Sequence, residues 1–287
     1  RPPRSTPKPS SAASDVYKRQ TLVIAFSREI TNLDYHYGTK TEYLILGDMI
    51  DDSLFYVENE NLTYAPSLAS DFNVVDDVTL DVNLRQGVKF HDGSEMTSDD
   101  VVYTYNFIVT NDKNRRHKKL ASWLKSIEKT GKYSVRFNLN SPYANLFNDL
   151  YRIKIRKNGI MGTDGNWDDN AQATSLNGLG PYKVISFDPG VEVVLERNES
   201  YFGGPKGNPA IKNLIIRSIP DMGTQQAELM SGGIHWMYNV KKDVGEAMAK
   251  TGKADYQIGP SLRIGFLVLD AGGYSGEGNP ITKLDVR

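Results

Sequence analysis

No cysteine occurs among the 287 residues, which removes disulfides, iron–sulfur clusters, thiolate zinc and cysteine nucleophiles together. Histidine is scarce as well: His36, His91, His117 and His235 are scattered, and no pair has the spacing that would put two ligands on one helix or strand face. Charge of one sign is lacking, with 34 basic against 35 acidic residues and a net of −1. A nucleic-acid binder would show a clear basic excess. Without the first twenty residues, which hold five basic groups and one acid, the balance is 29 against 34, or −5. No apolar run approaches the roughly 18 residues that span a bilayer. What is present is enough to build a core, because 39% apolar residues with 16 Tyr and 10 Phe can offset the entropy of ordering.

Residues 1–20 carry four of the 13 prolines and no apolar stretch or period, so they read as a disordered or non-native leader. The far end, Leu284-Asp285-Val286-Arg287, has no capped helix or polar tail and reads as a truncation. Between them, Thr21 to Phe26 is a short apolar β-prone run, a buried strand. Tyr35, His36, Tyr37 and Gly38 then fall in a loop at its carboxyl end, where ligands sit in open α/β sheets. Glu42 to Leu54 has a helical period, with Tyr43, Leu46, Ile50 and Leu54 on one face. Leu80, Val82 and Leu84 alternate as a strand that resumes at Val88 to Phe90 before the Asp92-Gly93 turn. Thr97 caps a helix carrying Val101, Val102, Tyr105, Ile108 and Val109.

Further on, Lys113 to Lys119 reads as a solvated basic loop, Val135 to Leu139 as a half-buried strand, Pro142 to Leu150 as a helix, and 158–177 as a long surface loop. Pro181 to Phe187 and Val191 to Glu196 flank Asp188-Pro189-Gly190 as a hairpin. Leu214 to Ile219 is a strand, Thr224 to Met230 a helix stopped by Gly232-Gly233, and both Ile234 to Val240 and Leu262 to Asp270 are strands. The mixture fits an α/β fold without a strict βαβ rhythm.

The catalytic templates fail one by one. Asp51-Asp52, Asp76-Asp77, Asp99-Asp100 and Asp168-Asp169 are adjacent pairs, which do not face each other on a helix or a strand, so helix first turns and solvated loops are their expected places. Gly273-Tyr274-Ser275-Gly276-Glu277 has Glu where a nucleophile elbow needs Gly. Gly178-Leu179-Gly180 is followed by Pro181 and a strand, whereas a phosphate loop must open a helix. Recognition chemistry remains. Tyr35, His36, Tyr37, Trp123, Trp236 and Tyr238 are rings able to line a wet pocket, and an arginine of the 113–119 run can meet a carboxylate bidentately.

Three stretches together carry a resemblance. They are Tyr64-Ala65-Pro66-Ser67-Leu68-Ala69 through Leu84-Arg85-Gln86-Gly87-Val88-Lys89-Phe90-His91-Asp92-Gly93 to Thr97-Ser98-Asp99-Asp100-Val101-Val102-Tyr103; Gly178-Leu179-Gly180-Pro181-Tyr182 through Leu195-Glu196-Arg197-Asn198 to Tyr201-Phe202-Gly203-Gly204; and Ile219-Pro220-Asp221 with Leu229-Met230-Ser231-Gly232-Gly233-Ile234. In order and spacing these resemble the family 5 extracellular solute-binding proteins, the dipeptide, oligopeptide and nickel-binding components of bacterial ABC importers. His235 departs from the pattern, standing where the family usually has Asp.

The resemblance implies a periplasmic-binding-protein-like fold of type II, peptide-binding cluster: lobe I with mixed β-sheets and a second lobe largely missing. Lobe I would comprise a core subdomain of 21–50 and 178–265 and an accessory subdomain of 51–177, with 266–287 beginning the crossover. First-lobe ligand contacts would come from Tyr35, His36, Tyr37, Gly38 and Thr39, from Arg116 and His117, and from Tyr238 and Asn239, the anchors for peptide termini lying in the missing part. It implies a monomeric, non-enzymatic, periplasmic or extracellular membrane-associated carrier without cofactor, metal or nucleic acid, which delivers a small peptide or peptide-like solute to an ABC permease in the inner membrane. A nickel-chelate or haem carrier on the same scaffold, which Arg116, His117 and Trp123 would distinguish, and a secreted hydrolase are the alternatives.

Overall fold

A computed structural model describes residues 20–37, 41–58, 63–110, 115–160 and 176–259, with the side chains of residues 37 and 115–117 outside that description. Strand β1 (Thr21–Phe26) is apolar from Leu22 onward, and its second half is buried on both faces. Ile24 and Phe26 pack into one cluster with Tyr43, Leu46 and Ile50 of helix α1 (Thr41–Ile50), while Ala25 points into another with Ile234 and Met237. That is the period-two alternation of a strand between two layers.

Two small sheets flank a second core. Strands β2 (Phe55–Glu58) and β3 (Thr63–Pro66) form one pair. Strands β4 (Ala69–Asp76), β5 (Thr79–Leu84), β6 (Leu124–Gly131) and β7 (Ser134–Leu139) form an antiparallel sheet in the order β4-β5-β7-β6. Val82, Val135 and Phe137 of this sheet share a buried cluster with Val101, Tyr105 and Ile108 of helix α2 (Ser98–Thr110). Thr97 opens α2 as expected: its backbone N–H donates to the Asp100 carboxylate at 2.7 Å while its hydroxyl accepts from Asp99 at 3.3 Å. The short helices α3 (Arg115–Leu120) and α4 (Leu146–Arg152) follow.

The chain then returns to the first sheet. Strands β8 (Tyr182–Asp188) and β9 (Glu192–Arg197) make the expected hairpin, with Gly190 at φ 78°. Strand β10 (Asn213–Ser218) completes the order β1-β10-β9-β8 and runs parallel to β1, with Thr21 opposite Asn213. Helix α5 (Met222–Ser231) is capped by Asp221 and stopped by Gly232 at φ 84°, and helix α6 (Lys242–Lys250) ends the described chain.

Several expectations are corrected. Helix α1 stops at Ile50 rather than Leu54, because the Ile50 carbonyl accepts the Gly180 N–H at 2.8 Å and the chain turns into the second core, where Leu54 is buried. The basic segment is helical from Arg115, since Arg, Lys and Leu are good helix formers. Val88 to Phe90 makes only an isolated bridge, Lys89 to Glu95. Ile234 to Val240 is likewise no strand. It touches β1 through one parallel bridge, Ile24 to Trp236. The Val23 N–H, which a regular ladder would give to a carbonyl, goes to His235 Nδ1 at 3.0 Å, and Asn239 turns away at φ 60°. Helix α4 begins at Leu146 instead of Pro142. The expected strand from Leu262 and most of the 158–177 loop lie outside the described residues.

Candidate functional site

Strand β1 runs parallel to β10 and to the Ile234–Tyr238 segment, bonding the latter through Ala25 N–H to the Trp236 carbonyl at 3.0 Å. All three therefore finish at one edge, the carboxyl edge where open α/β sheets hold ligands. The 3-10 turn Tyr35–Tyr37 and the first turn of α1 follow β1 there.

At this edge Tyr238 stacks on Trp236, with centroids 5.6 Å apart and 15° between planes, and meets Phe26 edge-on at 5.8 Å. Trp236 is 44% exposed, so the pair presents an aromatic platform. Beneath it the Tyr238 hydroxyl donates to Glu42 Oε1. Glu42 is only 3% exposed, and its Oε2 has no hydrogen-bond partner. Trp236 was among the rings that the sequence offered for a wet pocket, whereas Glu42 was not singled out. A signal for Glu42 was there: it shares the stripe of Leu46 and Ile50 at i, i+4 and i+8, which is the buried face of α1.

The Tyr35–His36 turn is mounted from the second core. Asn32 accepts the Asp34 N–H at 2.7 Å, and Asp34 accepts the His36 N–H at 2.9 Å. Arg156, 0% exposed, reaches Asp34 at 2.9 Å and also pairs with Asp51. His36 Nε2 donates to the Lys154 carbonyl at 3.0 Å, and the Lys154 ammonium lies 5.7 Å from the Tyr35 ring centroid. That ammonium pairs with Asp48 at 2.6 Å. Burial works against its charge, yet Asp48 and the Tyr35 and Tyr151 hydroxyls together hold it well above the usual lysine range. Burial pushes the Tyr151 hydroxyl, beside Asp48, up to about 12.

Asp51 and Asp52 were expected in a helix turn or a solvated loop; they are 0% and 1% exposed. Asp52 accepts from the Tyr201 hydroxyl at 2.9 Å and pairs with Lys206 at 2.8 Å. Burial pushes the Asp52 carboxyl up and the Lys206 ammonium down, against their mutual attraction. A chemical dyad is not what this makes, since each carboxylate has its own cation. The missed signal is Ile153-Lys154-Ile155-Arg156, an apolar stretch with two cations in it, all four buried.

Of the residues expected at the site, Tyr238 and Asn239 lie at this edge, and Tyr35 and His36 are buried in the turn beside it. Tyr37 closes that turn, with its side chain outside the described residues, as are Gly38 and Thr39 altogether. Arg116 and His117 sit on α3, again without described side chains. Trp123 does not join the platform. It is 4% exposed within the second core, 6.0 Å from Phe137 and 6.3 Å from Tyr105 between centroids, because the apolar bulk of an indole is better buried there than in a wet groove. No group of three or more His, Asp or Glu that could hold a metal ion occurs among the described residues.

His91, next to the Asp92-Gly93 turn, does more than flank it. Its Nδ1 accepts the Gly178 N–H at 3.3 Å while Nε2 donates to the Gly180 carbonyl at 3.0 Å, which is the neutral ring, and burial pushes its pKa down. Gly178 and Gly180 are glycines because a Cβ would stand 2.0 Å and 2.5 Å from Ile50 backbone atoms. They serve close packing, as the failed phosphate-loop template required some other role.

Comparison with known proteins agrees with this architecture. The chain is 32% identical over 219 residues to the oligopeptide-binding protein AppA of Bacillus subtilis strain 168, a match covering 75% of the chain and 36% of that relative. It superposes on the structure of AppA from Bacillus subtilis in complex with a nonapeptide with a TM-score of 0.71 at 30% identity, covering 81% of this chain and 45% of that one. For NikA from Brucella suis in complex with Fe(III)-EDTA the TM-score is 0.64 at 25% identity, with 75% and 42% covered. The chain thus spans less than half the length of each of these proteins. The family described as bacterial extracellular solute-binding proteins, family 5 Middle, matches residues 63–287, and the chain belongs to that family.

Proposed function

We propose that this chain supplies the first lobe of an extracytoplasmic carrier that captures peptides or peptide-like solutes and hands them to an ABC permease. The observation that carries the reading is the Trp236–Tyr238 platform at the shared carboxyl edge of β1, β10 and the Ile234–Tyr238 segment, backed by a rigid buried ion network. The family and the peptide-bound AppA relative support it. An aromatic surface of this kind grips varied side chains through apolar contact and leaves their polar ends wet.

The action is capture without bond cleavage. A second lobe closes over the first, and closure is driven by the ligand's greater affinity for the closed state, since no other energy source is required. The carrier would act outside the cytoplasm as a monomer. Calorimetric titration of the full-length protein with di- to nonapeptides tests this: saturable binding by peptides of several sequences is expected, and binding of nickel or iron chelates with indifference to all peptides would overturn it.

A further inference from the structure

A carboxylate buried with one oxygen unpartnered costs stability unless something absent from the chain satisfies it. Glu42 is in that position: 3% exposed, Oε1 held by the Tyr238 hydroxyl, Oε2 without a hydrogen bond. No lysine, arginine or histidine of the described residues pairs with it. Among the other buried acids of the described residues, Asp34 and Asp51 share Arg156, Asp52 has Lys206, and Asp100 and Asp149, buried without a cation, have both carboxylate oxygens hydrogen-bonded. Glu42 has neither a cation nor a hydrogen bond to its second oxygen, and it lies under the exposed Trp236–Tyr238 stack at the carboxyl edge of the sheet.

From this geometry we infer that Glu42 is a specificity-determining residue that receives a primary ammonium group of the ligand, deepening the peptide reading on which it rests. The ligand's cation supplies the partner that Arg156 gives to Asp34 and Asp51 and that Lys206 gives to Asp52. The bond from Tyr238 occupies Oε1 and leaves Oε2, closed to solvent in this state, as the oxygen a ligand's cation would reach by displacing its cover, and the flat faces of Trp236 and Tyr238 attract the cation and its carbon stem as it approaches. Two sources present this chemistry, the peptide's amino terminus and a lysine side chain.

The test compares the full-length protein with E42Q, which keeps shape and removes charge. Calorimetry uses pentapeptides in three forms: amino terminus free and no lysine, the same peptide N-acetylated, and N-acetylated peptides with lysine or norleucine at each internal position. E42Q is expected to weaken ammonium-bearing peptides at least about tenfold, while the acetylated norleucine peptides keep their affinity. A loss confined to the free terminus assigns the terminus, and one that follows lysine assigns the side chain.

Equal affinities of both proteins for every peptide overturn the inference and leave Oε2 to an ordered water. Should the wild-type protein bind no peptide, the peptide reading falls, and Glu42 is read separately with cadaverine against 1,5-pentanediol by Trp236 fluorescence, W236F serving as the blank. A saturable response to the diamine that E42Q abolishes supports the inference; the same response to both compounds, or none, overturns it. If E42Q does not fold, Y238F takes its place, with a severalfold loss for the ammonium-bearing ligands alone expected and unchanged binding contradicting it.

Discussion

Arg156 bonds Asp34 at 2.9 Å across 122 positions of sequence, and both side chains are buried to within 1% of completely. One guanidinium thereby ties the turn that precedes α1 to the segment that closes the second core. The same guanidinium pairs with Asp51, so one cation is shared by two carboxylates whose side chains are all but closed to solvent.

Removing that cation leaves two buried charges uncompensated. Arg156→Met is expected to destabilise the protein by about 3–5 kcal/mol, read as a shift in the urea midpoint. Combining it with Asp34→Asn should recover part of the loss, because the pair is coupled. Additive effects of the two substitutions would contradict the arrangement.

Gly180→Ala would place a Cβ 2.5 Å from the Ile50 carbonyl carbon and 2.6 Å from the Asp51 nitrogen, both main-chain atoms. Backbone must move, at a cost of about 1–3 kcal/mol. Gly131→Ala meets only the Ser134 hydroxyl, which can rotate away, so its thermal midpoint should fall much less.

His91 is neutral and buried, with its pKa held down by burial. A ring whose folded pKa lies below its unfolded value of about 6.5 takes up fewer protons folded than unfolded. Stability therefore declines as pH falls from about 6.5 toward that lower value. His91→Gln retains a donor and an acceptor without a titration. Its stability should lose less than the wild type between pH 7.5 and 5.5, and parallel profiles in urea would refute the assignment.

Trp236 is 44% exposed and Trp123 4% exposed. Trp236→Ala is expected to weaken peptide binding about tenfold or more, in the range of an interfacial aromatic anchor, with little change in thermal midpoint. Trp123→Phe should do the reverse, lowering stability and leaving affinity intact. Calorimetry and a melting curve on both variants separate the two.

Local rules were enough for much of the fold. The run Thr21–Phe26, the Asp188-Pro189-Gly190 hairpin, the Thr97 cap and the Gly232 stop each announce themselves through short-range chemistry. What escaped was decided by distant partners. The end of α1 depends on Gly180 taking the Ile50 carbonyl, and the irregular Ile234–Tyr238 segment depends on the His235 ring accepting from Val23. The buried Asp51-Asp52 pair escaped for the same reason, since Arg156 and Lys206 lie more than a hundred positions away in the chain. At the carboxyl edge of the first sheet the resemblance pointed to Tyr238 and to the Tyr35 turn, whereas Glu42 required the observation that its stripe of α1 faces inward.

Among the described residues, strand β1 is paired only by segments far along the chain from it. Its neighbour β10 pairs Asn213 with Thr21 at a separation of 192 residues, and the Trp236 segment on its other side comes later still. A growing polypeptide must carry the greasy Leu22-Val23-Ile24-Ala25-Phe26 stretch unclaimed until β10 has been made, the slow regime of long-range pairing. The buried residues of the second core, Leu54 to Leu179, all precede β10 in the chain and have no such wait. The carboxyl edge of the first sheet therefore forms only after the residues of the second core have been made, and any holding chaperone that attends its birth has a defined place to grip.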